Sequence, residues 1–172
     1  MENIKKVTAY LLSTSLIEIF LVSISLVLKL PLPITAIKIL WVNLVSEVLP
    51  AIALSFEGAE KDIMNLKPQS IKKPILDNLA RFLIFVIGIA GAGMLFGMFL
   101  FFGSSFESYV YAQSIVFAGL GVLSIFSAVS LRSLRRPIWE VSFFSNKYLL
   151  GSLGLSLLFL IGAIYLPFLN SI

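Results

Sequence analysis

Five runs of about twenty or more apolar residues, separated by polar stretches, dominate this 172-residue chain. They fall at about Val7–Leu28, Ile34–Phe56, Phe82–Phe102, Val110–Leu131 and Tyr148–Phe168. A helix rises about 1.5 Å per residue, so roughly 20 apolar residues cross the hydrocarbon layer of a bilayer. Inside that layer every backbone N–H and C=O needs a protein partner, and a run of this length finds them only as a helix. The expected fold is therefore all-α, a polytopic membrane helical bundle of about five transmembrane helices. The chain is 59% hydrophobic and only 13% charged, with a mean hydropathy of +1.02. That is too little charge to cover a water-exposed domain.

The basic residues lie between the runs and give them a direction. Eleven of the 13 flank one side: Lys5 and Lys6 before the first run, Lys61, Lys67, Lys72, Lys73 and Arg81 after the second, and Arg132, Arg135, Arg136 and Lys147 after the fourth. Only Lys29 and Lys38 belong to the other side. The positive-inside rule then predicts a multi-pass protein of the plasma or inner membrane with a cytoplasmic N-terminus, a cytoplasmic loop at about 57–81 and a C-terminus outside. The net charge of +4 is read as this orientation and not as a nucleic-acid surface. A cleaved leader does not fit, because Glu18 interrupts its apolar core and no small-residue cleavage site follows. Histidine and cysteine are absent, which removes disulfides, thiolate or imidazole metal sites, and Ser-His or Cys-His catalysis.

Local signals refine the bundle. Pro31 and Pro33 mark a tight turn, with Pro33 suited to the opening of the second helix, and Pro167 ends the fifth. Gly88, Gly91, Gly93 and Gly97 line the third run, Gly93 and Gly97 at GxxxG spacing. They are expected to form a packing groove inside the bundle, a dimerisation face being the alternative. Ser114, Gly121, Ser124 and Ser127 are read as packing residues of the fourth.

Of nine acidic residues, two stand in mid-run. Glu18 and Glu47 would lie near the bilayer midplane, where an ionised carboxylate turns inward to meet a proton, a cation or a partner. Thr8, Ser15, Glu18 and Ser25 share a stripe of the first helix, with Thr14 a turn before Glu18. Asn43, Ser46, Glu47 and Pro50 share a face of the second. A short turn makes the two helices antiparallel neighbours. Pro50 lacks an N–H and crowds the carbonyl of Ser46, loosening backbone oxygens at the depth of Glu47. Glu18, Glu47, Ser15, Asn43 and Ser46 together approach the 6–8 oxygens that a calcium-like cation takes. No nitrogen or sulfur donor favours zinc or copper. A second reading makes both glutamates protonated, hydrogen-bonded packing residues. Lys38 stands too far along the helix to pair with Glu47 and is expected at the outer interface.

"LLSTSLIEIF", "LPLPITAIKILWVNLVSEVLPAIALSFEGAEKDIM" and "KPQSIKKPIL" resemble the C-terminal membrane region of calcium-pump-like, type II P-type cation-transporting ATPases. The resemblance implies that Glu18 matches the acidic ligand of the fifth helix of such pumps, and that Asn43, Ser46 and Glu47 match the sixth-helix ligands. It also implies that the loop after Glu57 meets the phosphorylation domain. Ser15, Ser46 and Glu47 depart from the usual Asn, Thr and Asp, and Ser124 falls near an eighth-helix acid, so one cation site is better supported than two.

The aspartyl-phosphate, nucleotide, hinge and actuator motifs of that family have no counterpart here, nor does its "PEGLP"-like helix. The chain is thus expected to be a piece of a pump, without its soluble catalytic domains and with no ATP or magnesium site. On its own it would not be an enzyme. Its partners would be the lipid bilayer and the remaining helices and soluble domains of the ATPase; nucleic acid is excluded. Its role would be to carry part of the transported ion's site through alternating access. The alternative is a non-transporting membrane protein that packs with or regulates a pump, or a homo-oligomer. A proton-coupled transporter fits less well, since five helices give no inverted repeat.

Overall fold

The structure, a computed structural model, describes residues 2–58, 75–103, 106–134 and 145–165. Among them every regular element is a helix: α1 (Glu2–Val27), α2 (Ala36–Trp41), a π-helical segment (Val42–Glu47), α3 (Val48–Ser55), α4 (Asn78–Phe102), α5 (Phe106–Ser130) and α6 (Lys147–Tyr165). α2, the π segment and α3 run on as one span, so five helices are long and apolar enough to cross a membrane. Lys61, Lys67, Lys72, Lys73, Arg135, Arg136, Pro167 and the end of the fifth run lie outside the described residues.

α1 and α4 begin earlier than their apolar runs, and polar contacts explain both. α1 starts at Glu2 because its polar first turn has partners: Lys5 forms an ion pair with Asp77, and Asn3 Nδ2 donates to the carbonyls of Ser55 and Glu57 at 2.9 and 2.8 Å. α4 starts at Asn78 because Asp77 caps it, its side chain accepting from the Ala80 N–H at 2.9 Å. Such a cap satisfies one of the N–H groups that a helix start leaves open.

The turn between α1 and α2 makes the first two spans antiparallel. Lys29 takes a left-handed φ of 55°, and the Leu30 N–H returns to the Ser25 carbonyl at 2.9 Å. This is the six-to-one closure that ends many helices. Gln113 of α5 donates to the Leu32 carbonyl at 2.7 Å, tying the turn to the bundle. Thr35 then caps α2 by accepting from the Lys38 N–H.

The buried apolar residues form two clusters. One holds Ile17, Leu21, Val42, Leu95, Phe99 and Leu120, the other Tyr10, Leu54, Ile84, Leu131 and Leu149. Along α1 the buried Thr14 falls between Tyr10 of one and Ile17 of the other; along the second span Ser46 and Glu47 fall between Val42 and Leu54. Polar side chains thus sit where the two apolar layers meet. The outer face carries Phe82, Phe101, Val110 and Phe126, all exposed, as suits a surface turned to acyl chains.

Close helix contacts depend on glycine, though not on the pair that the sequence singles out. A Cβ on Gly88 would stand 2.8 Å from the Cβ of Leu16, and one on Gly121 would stand 2.8 Å from the methyls of Leu160. At Gly93 and Gly97 nothing lies within 4 Å. The expectation that this GxxxG pair lines a groove inside the bundle is therefore corrected. Gly88 and Gly91 pack α4 against α1, while Gly93 and Gly97 face outward. Spacing alone does not say which face of a helix meets its neighbour.

Candidate cation site

Two carboxylates are buried between α1 and the π segment. Glu18 is 8% exposed and Glu47 1%; in a low-dielectric interior each needs compensation. Each receives one hydrogen bond from the opposite helix. The Thr14 hydroxyl donates to Glu47 Oε2 at 2.9 Å, and Asn43 Nδ2 donates to Glu18 Oε2 at 3.2 Å. Going four residues up α1, from Thr14 to Glu18, goes four residues back along the π segment, from Glu47 to Asn43. This crosswise pairing is what an antiparallel hairpin dictates.

The Thr14 hydroxyl also lies within 3.3 and 3.1 Å of the Tyr10 and Leu11 carbonyls. It has one proton to give, and the shorter bond to an anionic acceptor is the stronger use of it. The other oxygen of each carboxylate, Oε1, is buried without a hydrogen-bond partner, and so is the hydroxyl oxygen of Ser46. Unpaired buried acceptors are rare in folded proteins. These three oxygens, on two carboxylates and a hydroxyl, are of the chemical type that a hard cation takes as ligands. Among the described residues no group of three or more acidic, histidine or cysteine side chains comes together, so the negative charge here comes from these two residues.

Pro50 acts through the backbone as its chemistry requires. It cannot donate to the Ser46 carbonyl, and the span relaxes into a π-helical segment that ends at Glu47, three residues before it. Bulges of this type place side chains where a regular helix would not. The freed Ser46 carbonyl accepts instead from Ser156 of α6, at 3.2 Å. The same hydroxyl lies 3.5 Å from the Val45 carbonyl. A third helix thereby enters the wall of the site.

Of the five candidate ligands, Asn43 and Glu18 are hydrogen-bonded to each other, and Ser46 and Glu47 are consecutive buried residues of the same π segment. Ser15 is half-buried on α1. Sequence reasoning passed over Thr14 as a partner of Glu47, although it precedes Glu18 by one turn. Ser156 was missed entirely; its signal is that it shares the buried face of α6 with Leu149, Leu153, Leu160 and Ala163, as the polar member of an apolar stripe. Ser124, read as packing, bonds the buried Tyr10 hydroxyl at 2.7 Å. Among the described residues Lys38 pairs with no acid: its ammonium stands 6.0 Å from the centre of the Phe117 ring, a cation–π distance.

Comparison with known proteins bears on the chain as a whole. The family model described as "Cation transporting ATPase, C-terminus" matches residues 31–172. The chain is 34% identical over 175 residues to a calcium-transporting ATPase of Bacillus subtilis (strain 168), covering 99% of this chain and 19% of that protein. It is 34% identical over 174 residues to the calcium-transporting ATPase type 2C member 2 of Rattus norvegicus, covering 99% and 18%. With the calcium-transporting ATPase 1 of Saccharomyces cerevisiae the identity is 32% over 176 residues, with 99% and 18% covered. The chain thus spans about a fifth of the length of the curated relatives it matches.

Proposed function

The chain belongs to the family of cation-transporting ATPase C-terminal regions, and from that premise we propose that it holds part of the ion site of an ATP-driven cation pump. The observation that carries this reading is the pair Glu18 and Glu47. Each is buried, each is hydrogen-bonded through one oxygen to the facing helix, and each keeps its second oxygen unpartnered. Two carboxylates match the charge of one divalent cation. Calcium, for which the relatives are named, takes oxygen ligands of this kind.

In this reading Glu18, Glu47, Asn43 and Ser46 bind the ion as substrate, with Ser15 contributing if α1 turns. Thr14 and Asn43 hold the carboxylates apart and oriented while no ion is present. Protons take the ion's place after release, because two bare carboxylates at this depth are costly. Nucleotide binding and phosphoryl transfer belong to other parts of the complete ATPase, whose soluble domains and further helices are the partners of this chain. Transport follows from alternating access as those domains cycle. In this reading the basic loops face the cytoplasm together with the N-terminus, and the C-terminus lies outside.

The test uses the complete ATPase that contains this chain, reconstituted in vesicles. Glu18→Gln and Glu47→Gln keep the shape of each side chain and remove its charge, and ATP-driven calcium uptake is expected to be lost in both. Uptake at the unmodified level in both variants would end this reading.

A further inference from the structure

At the N-terminal end of α1 a third buried acid gathers four helices, ten residues past Glu47. Glu57 follows the end of α3, and its carboxylate pairs with Arg132, just beyond α5, at 2.8 Å. The two side chains are only 7% and 5% exposed. Arg132 Nε donates to the second carboxylate oxygen at 3.3 Å, and Asn146 Nδ2 donates to the same oxygen at 2.8 Å. Asn146 also donates to the Ala53 carbonyl at 3.1 Å and caps α6 by accepting from the Leu149 N–H at 3.0 Å. Arg132 reaches Ser145 at 2.7 Å, and Asn3 of α1 holds the Glu57 carbonyl at 2.8 Å. One residue therefore ties the end of the ion-site span to α1, α5 and α6.

A buried ion pair is a poor device for stability alone, since apolar residues of similar volume often do as well or better. What it offers is a fixed position, because a charge taken out of water tolerates little displacement from its partner. Glu57 stands roughly 15 Å along the helix from Glu47, with only the end of the π segment and α3 between them. Movement at one end reaches the other.

We propose that Glu57, through Arg132 and Asn146, is a positioning residue for ion binding, fixing α3 along its axis so that Glu47 stays level with Thr14. The inference rests on the pump reading given above and adds to it a second, remote determinant of ion affinity.

Glu57→Gln, Arg132→Gln and the double variant are compared in the complete ATPase, reconstituted in vesicles. Half-saturating calcium, maximal uptake and the thermal midpoint are measured, with Glu47→Gln alongside. Each single variant cuts the Glu57–Arg132 ion pair and keeps one of its two charges; the double removes both. The expected result is a rise in half-saturating calcium of about five-fold or more in each single, the lower end of site-to-site coupling, with maximal uptake per folded molecule kept. The double variant is expected to lie closer to the unmodified protein than either single. A smaller rise in both singles overturns the inference, even if the thermal midpoint falls, because loss of stability alone is the structural outcome. Should the singles fail to fold, Asn146→Ala, which keeps the ion pair but cuts the α3–α6 link, is judged by the same rule. Loss of uptake in Glu47→Gln without an effect at Glu57 defeats this inference only; unchanged uptake in Glu47→Gln defeats the pump reading itself.

Discussion

Ser156 donates its hydroxyl to the Ser46 carbonyl, the one that Pro50 leaves without its helical N–H. A residue on α6 thus completes a bond that the second span cannot complete for itself. Ser156→Ala leaves a buried carbonyl unsatisfied, at a cost of about 1–3 kcal/mol. The thermal midpoint of the complete ATPase in detergent is expected to fall in this variant and to recover in Ser156→Thr, which keeps the hydroxyl. An unchanged midpoint in Ser156→Ala would mean that the carbonyl finds another donor.

Thr14→Val keeps the shape of the side chain and removes the donor to Glu47 Oε2. A hydrogen bond to a charged group is worth about 1.5 kcal/mol or more, or roughly ten-fold in affinity. Half-saturating calcium for uptake is expected to rise by about that factor, and Thr14→Ser is expected to restore it. Equal affinities in Thr14→Val and the unmodified protein would remove Thr14 from the site.

Pro50→Ala returns an N–H to the Ser46 carbonyl and permits a regular helix through the site. Stability and transport should then move in opposite directions, as they do where a site retains local strain. The thermal midpoint is expected to hold or rise while calcium uptake drops about ten-fold, because the π segment that presents Glu47 is no longer favoured. Full uptake would show that the bulge is dispensable.

Gly88→Ala and Gly93→Ala separate buried from outward-facing small residues on a single helix. The first sets a methyl against Leu16 Cβ, and overpacking of this kind costs about 1–3 kcal/mol. The second enters open space and is expected to leave the thermal midpoint unchanged. A larger loss at Gly93 than at Gly88 would reverse the assignment of the two faces.

The spans, the hairpin and the two buried mid-span glutamates were legible in the sequence because each follows from a local rule. Apolar length makes a helix, a proline-containing turn makes neighbours antiparallel, and a carboxylate in an apolar run must turn inward. Pro50 was legible too, since its missing N–H points to the Ser46 carbonyl. That Ser156 would answer it was not, because α6 comes more than a hundred residues later and no local rule says which helices meet. Gly93 and Gly97 failed for the same reason: their spacing is a property of one helix, while packing is a property of two. Glu57 reads as an ordinary loop acid until Arg132 and Asn146 arrive from distant parts of the chain.

The crosswise pairing of α1 with the π segment limits how the two helices can slide. Thr14 faces Glu47 and Glu18 faces Asn43, so a shift of a single turn would bring Glu18 opposite Glu47. Two unit charges 4 Å apart repel by about 4 kcal/mol at an effective dielectric of 20. A step that costs little between ordinary apolar helices would carry that cost for this pair with both acids ionised, and less of it with a positive charge between them.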